Sequence, residues 1–243
     1  MDFALNDDQL ELKQAARAWL ADRFPLDRDW EAQDDRWGEL EELGWLDVAE
    51  AGLGFVEEAL LLEEMGYVCY PGFYLAHVAS LAGDGGPRTV DPTRPPWSVE
   101  ETPRLRAAAA AEALGVAQRA LDLGVEHAKT RVQFGKRIDT YQAVSHPLAQ
   151  TYTDVELARS LVYWAAWCVA EKDERAPLAA AAAKAFATEA AVAACERSIQ
   201  VHGGIGFTWE HPLHRFYKRA LWLEGFGRRP AELRLEVADA VLA

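Results

Sequence analysis

At 243 residues, half of them hydrophobic and 26% charged, the chain is long enough to bury roughly 70% of the surface its unfolded form exposes without help from disulfides. The formal net charge of −14 hides an asymmetry: residues 1–103 carry 23 acidic against 7 basic side chains, residues 104–243 carry 16 against 18. That balance excludes the broad basic face of a nucleic-acid binder, yet leaves room in the second half for a compact anion held by a few arginines and helix N-termini. The cysteines, Cys69, Cys168 and Cys195, are odd in number and sit in apolar helical patterns, so they read as buried apolar residues of a reducing compartment. No basic-then-apolar leader opens the chain, and apolar stretches are broken by Arg, Glu or Lys before the ~18 residues a membrane span requires. A cytoplasmic protein with no membrane and no nucleic-acid partner is expected.

Asn6, Asp7, Asp8 and Gln9, followed by Leu10, Leu12, Ala15, Ala16, Trp19 and Leu20, form a capping signal and an amphipathic helix that Pro25 ends. Trp37, Leu40 and Leu43 make a short second apolar face stopped by Gly44. Residues 55–65 are a third helix stopped by Gly66, and Pro71 opens a fourth with Phe73, Leu75, Val78 and Leu81 behind it. Residues 83–103 contain five Pro and three Gly, a composition that favours a turn-rich connector with one short extended stretch around residues 97–99. This is the expected boundary between an N-terminal helical domain over 1–82 and a C-terminal bundle over 104–243. Beyond Pro103 the sequence is dense in Ala, Leu, Arg and Glu and predicts helices at about 104–130, 139–170, 175–202 and 230–241, with a shorter one near 210–222. Three of these far exceed the usual ~11 residues. Leu148, Tyr152, Val155, Leu157, Leu161, Trp164 and Trp167 put apolar groups on more than one face of the second, which invites self-association through the C-terminal helices. The fold class predicted is all-α.

Three segments break the helical pattern. In residues 129–138 (KTRVQFGKRI) Arg131 offers fixed donors suited to a phosphate, Gln133 donates or accepts, and Gly135 lets the backbone turn close to a ligand. A plain interhelix loop whose arginine meets a surface carboxylate accounts for the same residues. Residues 200–208 (QVHGGIGFT) hold three glycines in four positions, more than a helix cap needs, and their backbone N–H groups beside Gln200 can hold an anion. His202 reads as a base or, more simply, as a packed helix-end residue, since no acid or cysteine stands at motif spacing from it. In residues 221–230 (LWLEGFGRRP) Glu224 is either a base or an ordinary solvated glutamate. His77, His127, His146, His211 and His214 show no HExxH or Cys-rich spacing, and neither GxSxG nor GxxxxGKS/T occurs, so no metal site is expected.

Taken in this order, TRVQFGKRIDTYQAVSHPLA and IQVHGGIGFTWEHPLHRFYKRA closely resemble the helical C-terminal domain of the acyl-CoA dehydrogenase family over residues 104–243. FALNDDQLELKQAARAWLADRF, with LGWLDV and FVEEALLLEEMGY further on, resembles that family's N-terminal helical domain. The resemblance implies FAD extended across a subunit interface. The segment of Arg131, Gln133 and Phe134 would touch the adenosine-diphosphate part of a neighbour's flavin, and that of Gln200, Gly203 and Gly204 would grip it from the facing subunit. In the family a glutamate takes the α-proton of an acyl-CoA thioester while hydride leaves the β-carbon for the flavin, and an electron-transfer acceptor reoxidises the enzyme.

The chain departs from the family pattern twice. Members carry a β-barrel domain between the helical halves, covering the isoalloxazine ring; here only residues 83–103 stand in that place, too few to close a barrel. The family glutamate, often in a Glu-Gly-Thr turn, falls on Gly227 when the match runs without gaps from Lys218, Arg219 and Ala220 to Arg234 and Ala238. Glu224 matches only after a shift of three residues, and a second family location for the base falls near Leu105. Both departures resemble the α2β2 heterotetramers in which some actinobacterial members act on steroid and other bulky CoA thioesters, one subunit type lacking the base. The expectation is a subunit of a heteromeric FAD-dependent acyl-CoA dehydrogenase with no catalytic residue of its own. Arg131, Gln133, Phe134, Gln200, Gly203 and Gly204 would hold FAD, and a full-length homologue would supply the β-domain and the glutamate. A homomeric enzyme using Glu224, and a non-catalytic scaffold or regulator without cofactor, stay open.

Overall fold

The computed structural model describes residues 5–31, 34–48, 52–80 and 101–242. Among them the chain forms α1 (Asp7–Arg23), α2 (Trp37–Glu42), α3 (Phe55–Val68), α4 (Tyr74–Ser80), α5 (Pro103–Thr130), α6 (Gln142–Ala170), α7 (Ala176–His202), α8 (Leu213–Gly225) and α9 (Pro230–Leu242). Strands β1 (Val132–Gln133) and β2 (Lys136–Arg137) make one antiparallel hairpin, and 3-10 turns span Ile138–Thr140 and Gly203–Phe207. The fold is therefore all-α apart from this hairpin, an N-terminal helical cluster on a C-terminal long-helix bundle. The connector expected over 83–103 lies outside the described residues except for residues 101–103. There Thr102 caps α5, its Oγ1 accepting from the Leu105 N–H at 3.2 Å, and Pro103 takes the first helical position, where its missing N–H costs nothing.

Two helix boundaries differ from expectation. α3 does not stop at Gly66 but continues to Val68, closed by Cys69 at φ 50°, and Pro71 precedes α4 instead of opening it. Gly66 is spent on packing. A Cβ there would lie 2.1 Å from the Glu112 carbonyl oxygen of α5, and one on Gly115 of α5 would lie 1.9 Å from the Glu63 carbonyl oxygen of α3. The two helices therefore cross backbone to backbone, which only a residue without a side chain permits.

α5 and α7 form the centre of the bundle. Their small side chains, from Ala107 to Ala117 on one and from Ala179 to Ala194 on the other, are almost wholly buried, and short side chains let long helices approach closely. One continuous apolar core joins Leu20, Leu40, Leu62 and Tyr74 of the N-terminal helices to Leu114, Val162, Phe216 and Leu223 of the bundle. Cys168 and Cys195 are buried and all three cysteines are free thiols. By length and composition the stretch Ala176–Phe207 is apolar enough to cross a membrane, although Lys184, Glu189, Glu196 and Arg197 interrupt it. Its most apolar window is 67% buried inside the bundle, the signature of a core helix.

Buried carboxylates flank the α3–α5 crossing, and each has a cation. Glu63 takes Lys13 Nζ at 2.6 Å, the Tyr163 hydroxyl at 2.8 Å and Arg159; Glu64 takes Arg17; Glu112 takes Arg219 Nε at 2.6 Å. Burial pushes the Glu63 carboxyl up, but the charges of Lys13 and Arg159 outweigh it and hold the group below the usual carboxylate range. Gly115→Ala is expected to lower unfolding stability by about 3 kcal/mol, since neither backbone can yield to the added methyl group. Urea denaturation checks it, and a loss within error of zero would mean the crossing is looser than described.

Candidate functional site

The cationic junction of the sequence folds into the hairpin. Phe134 and Gly135 form its tip at φ 53° and 78°, the double left-handed geometry that a two-residue turn between twisted strands requires. Gly135 adopts it freely, whereas Phe134 does so at a steric cost. The Phe134 side chain is nevertheless 92% exposed. Tyr141 braces the hairpin, its hydroxyl donating to the Gln133 carbonyl at 3.2 Å and its ring lying 5.0 Å from Lys136 Nζ. Arg131 and Gln133 are exposed, and among the described residues no carboxylate pairs with the Arg131 guanidinium.

The glycine segment sits at the C-terminal end of α7. Gly203, at φ 65°, reverses the chain, its N–H returning to the carbonyls of Gln200 and Ile199. Gly203 and Gly204 are exposed, and the space over both is open, with no atom within 4 Å of an added Cβ. Gln200 is exposed beside them. Gly206 is instead a packing glycine, since a Cβ there would lie 2.7 Å from the Ile199 carbonyl oxygen.

A row of imidazoles, unforeseen from the sequence, joins the two segments. His127, in the last turn of α5, stacks on His202 at 4.2 Å, and His202 lies 4.4 Å from His211. His202 is buried, with Nδ1 2.8 Å from the Ser198 carbonyl, so it is a packed helix-end residue. The row sets the roots of the hairpin and the glycine segment side by side, and the side chains of Arg131, Gln133 and Gln200 then face solvent there. Burial pushes all three imidazoles below the ordinary histidine value; the His202 and His127 charges add to it at His211, which falls to about 4, and Arg131 adds to it at His127. No signal in the sequence marks this row, because its members lie on three elements at no regular spacing.

Glu224 is not part of this arrangement. It ends α8 beside Glu189 and Glu196 of α7, and burial together with those charges raises its carboxyl. Glu189 and Glu196 stand about 20 Å and about 9 Å of helix from His202 at ~1.5 Å per residue. The nearby turn is filled from elsewhere. Gly227 has φ 62°, and a Cβ on it would lie 2.5 Å from Glu101 Oε1 and 3.2 Å from Lys184 Nζ. Lys184 is buried, donating to Glu101 Oε1 at 2.6 Å, to the Arg228 carbonyl at 2.9 Å and to that of Phe226. Glu101 also accepts the Arg228 N–H at 3.0 Å and pairs with Arg106 at 3.2 Å. Partial burial pushes its carboxyl up, but Lys184 and these partners hold it below the usual range, which makes it a structural anion and a poor base.

Residues 98–227 match the family model for the acyl-CoA dehydrogenase C-terminal domain, and residues 6–84 match that for the acyl-CoA dehydrogenase N-terminal domain. Acyl-CoA dehydrogenase IpdE2 of Mycobacterium tuberculosis is 46% identical over 111 residues, a match covering 46% of this chain and 33% of the relative. The chain thus spans about a third of that relative's length. A chain of the ChsE4-ChsE5 complex from Mycobacterium tuberculosis superposes with a TM-score of 0.84 at 18% identity, over 100% of this chain and 99% of that one. A chain of the Tcur3481-Tcur3483 steroid ACAD does so with a TM-score of 0.80 at 24% identity, over 97% and 98%. At those identities the likeness is one of fold.

The imidazole row predicts acid sensitivity. Groups with folded values below their unfolded ~6.5 leave the folded state binding fewer protons, so stability is full above about pH 6.5 and falls as pH drops toward about 4, where His211 charges. Urea midpoints over that window should decline in the native chain and decline less in His211→Gln; identical slopes would show that the row does not titrate with folding.

Proposed function

Since the chain belongs to the acyl-CoA dehydrogenase family, we propose that it is a partner subunit of a heteromeric FAD-dependent acyl-CoA dehydrogenase, helping to hold the cofactor and leaving the base to an unlike chain. One observation carries this reading: the N- and C-terminal family domains are both present, and only residues 85–97 separate their matches. A segment that short cannot supply the strands of a barrel wall.

The exposed side chains of Arg131, Gln133 and Gln200 fit an extended phosphorylated cofactor. Arg131 would meet the pyrophosphate, with the Gln133 and Gln200 carboxamides, the open backbone at Gly203 and Gly204, and the Phe134 ring beside it. FAD, when bound, supplies the hydride acceptor for α,β-dehydrogenation of an acyl-CoA. This chain binds and orients; a full-length homologue brings the β-domain, the substrate pocket and the glutamate, and an electron-transfer acceptor takes the electrons. Gly227 supports the division, because the position aligned with the family base has left-handed backbone and is already filled by the Glu101–Lys184 pair. The paired names of the ChsE4-ChsE5 and Tcur3481-Tcur3483 structures support an assembly of unlike chains, and the second supports a steroid or other bulky acyl group. Self-association through the C-terminal helices, where Tyr152 and Leu157 of α6 are exposed, and a cytoplasmic setting complete the proposal.

Glu224 favours a second reading, since a raised carboxyl suits a base. Co-expression with a full-length homologue separates the two. The proposal expects a yellow complex of equal stoichiometry and a colourless isolated chain. Arg131→Ala should weaken flavin retention in the complex about tenfold, the worth of one charge-assisted hydrogen bond, while Glu224→Gln keeps turnover. An isolated chain that holds stoichiometric FAD and oxidises a thioester, with activity lost in Glu224→Gln, would establish the self-sufficient enzyme instead. Gly227→Glu should lower the Tm without conferring activity on the chain alone.

A further inference from the structure

A cavity of about 330 Å³ opens between the segment after α1, the C-terminal end of α3 and one face of α8. Its volume lies at the lower end for small-molecule sites. Four cations line it, Arg28, Arg215, Lys218 and Arg219, together with Trp30 and Trp222. In a chain with a net charge of −14, such a gathering of like charge demands compensation.

The compensation within the protein is incomplete. Arg215 pairs with Glu31 at 2.6 Å, but the Glu31 side chain is 82% exposed, so that pair is weak. Arg219 pairs with the buried Glu112 at 2.6 Å. Arg28 donates to carbonyls only, those of Phe24 at 2.8 Å, Pro25 at 3.4 Å, Val68 at 3.0 Å and Cys69 at 2.8 Å. Lys218 Nζ lies 4.3 Å from the Trp209 ring centroid. Among the described residues, neither Arg28 nor Lys218 has a carboxylate partner, so the cavity carries a surplus of two positive charges.

The aromatic rings hold these cations in place. Arg28 lies 3.6 Å and Arg215 5.3 Å from the Trp30 centroid, and Arg219 lies 4.6 Å from that of Trp222. Guanidinium groups clamped on indole rings lose little entropy when an anion arrives. Burial, helped by the Arg215 charge, pulls the Arg28 guanidinium down to about 10, a further sign that its charge is poorly compensated. A surplus of two charges with planar forks matches a multiply charged oxyanion better than a single carboxylate.

We propose that this cavity binds a phosphate-bearing small molecule, a phosphate monoester or pyrophosphate, at a site separate from the hairpin and the glycine segment. The inference does not depend on the flavin reading. Titration calorimetry of the full chain at low ionic strength, with inorganic phosphate, pyrophosphate and ADP, tests it. One site is expected, with pyrophosphate tighter than phosphate and affinity falling as salt rises. ADP binding more tightly than pyrophosphate would identify a nucleotide as the source; equal binding would identify the phosphate groups alone. The double variant Arg215→Gln/Lys218→Gln, whose side chains stand outside the core, should lose at least about tenfold in affinity with an unchanged circular dichroism spectrum. Arg131→Ala should bind as the native chain does. The proposal is overturned if none of the three ligands binds, if the double variant binds unchanged, or if Arg131→Ala abolishes binding.

Discussion

The architecture depends on the bare contact between α3 and α5. Gly66 and Gly115 bring two helix backbones together with nothing between them, and this closeness dictates what flanks the crossing. Glu63, Glu64 and Glu112 sit one turn or less from the two glycines and cannot reach water, so each is driven to find a cation on a third helix. Lys13 and Arg17 arrive from α1, Arg159 from α6 and Arg219 from α8. A buried carboxylate is costly alone and tolerable when paired. The crossing therefore recruits the other helices through charge, and the N-terminal cluster and the bundle become one core.

From that core the candidate functional elements follow as ends. α5 and α7 are long, lie side by side and terminate together, and the contact of His127 with His202 marks where they do so. Whatever follows their last turns must project from one place: the hairpin with Arg131, Gln133 and Phe134 from α5, and the turn with Gly203 and Gly204 from α7. Phe134, Phe207 and Trp209 are large apolar groups left mostly in solvent there.

Much of this is legible in the sequence, for reasons that differ by element. The long helices announce themselves through Ala, Leu and Glu runs, and their ends through Pro103 and Gly203, because propensity and capping are local. The family resemblance points to the missing barrel through length alone. Gly66 reads as a stop because a glycine that ends a helix and one that lets a neighbour in look identical until the neighbour is known. The burial of Lys184 is not legible, because its partners at Glu101, Phe226 and Arg228 come from distant stretches. The imidazole row and the cationic cavity are wholly tertiary, each assembled from single residues on separate elements.

The clamp on Glu101 bears on how the two helical halves are joined. Lys184, Arg106 and the Arg228 N–H fix the chain at the point where it enters α5, so that helix starts from an anchored post whatever leads up to it. The entropy of closing a loop rises by only about 0.6 kcal/mol for each doubling of its length. Between α4 and that post the polypeptide can accordingly be lengthened or trimmed with little penalty to the bundle, which makes this junction the natural seam at which an entire layer can be added to or excised from the architecture.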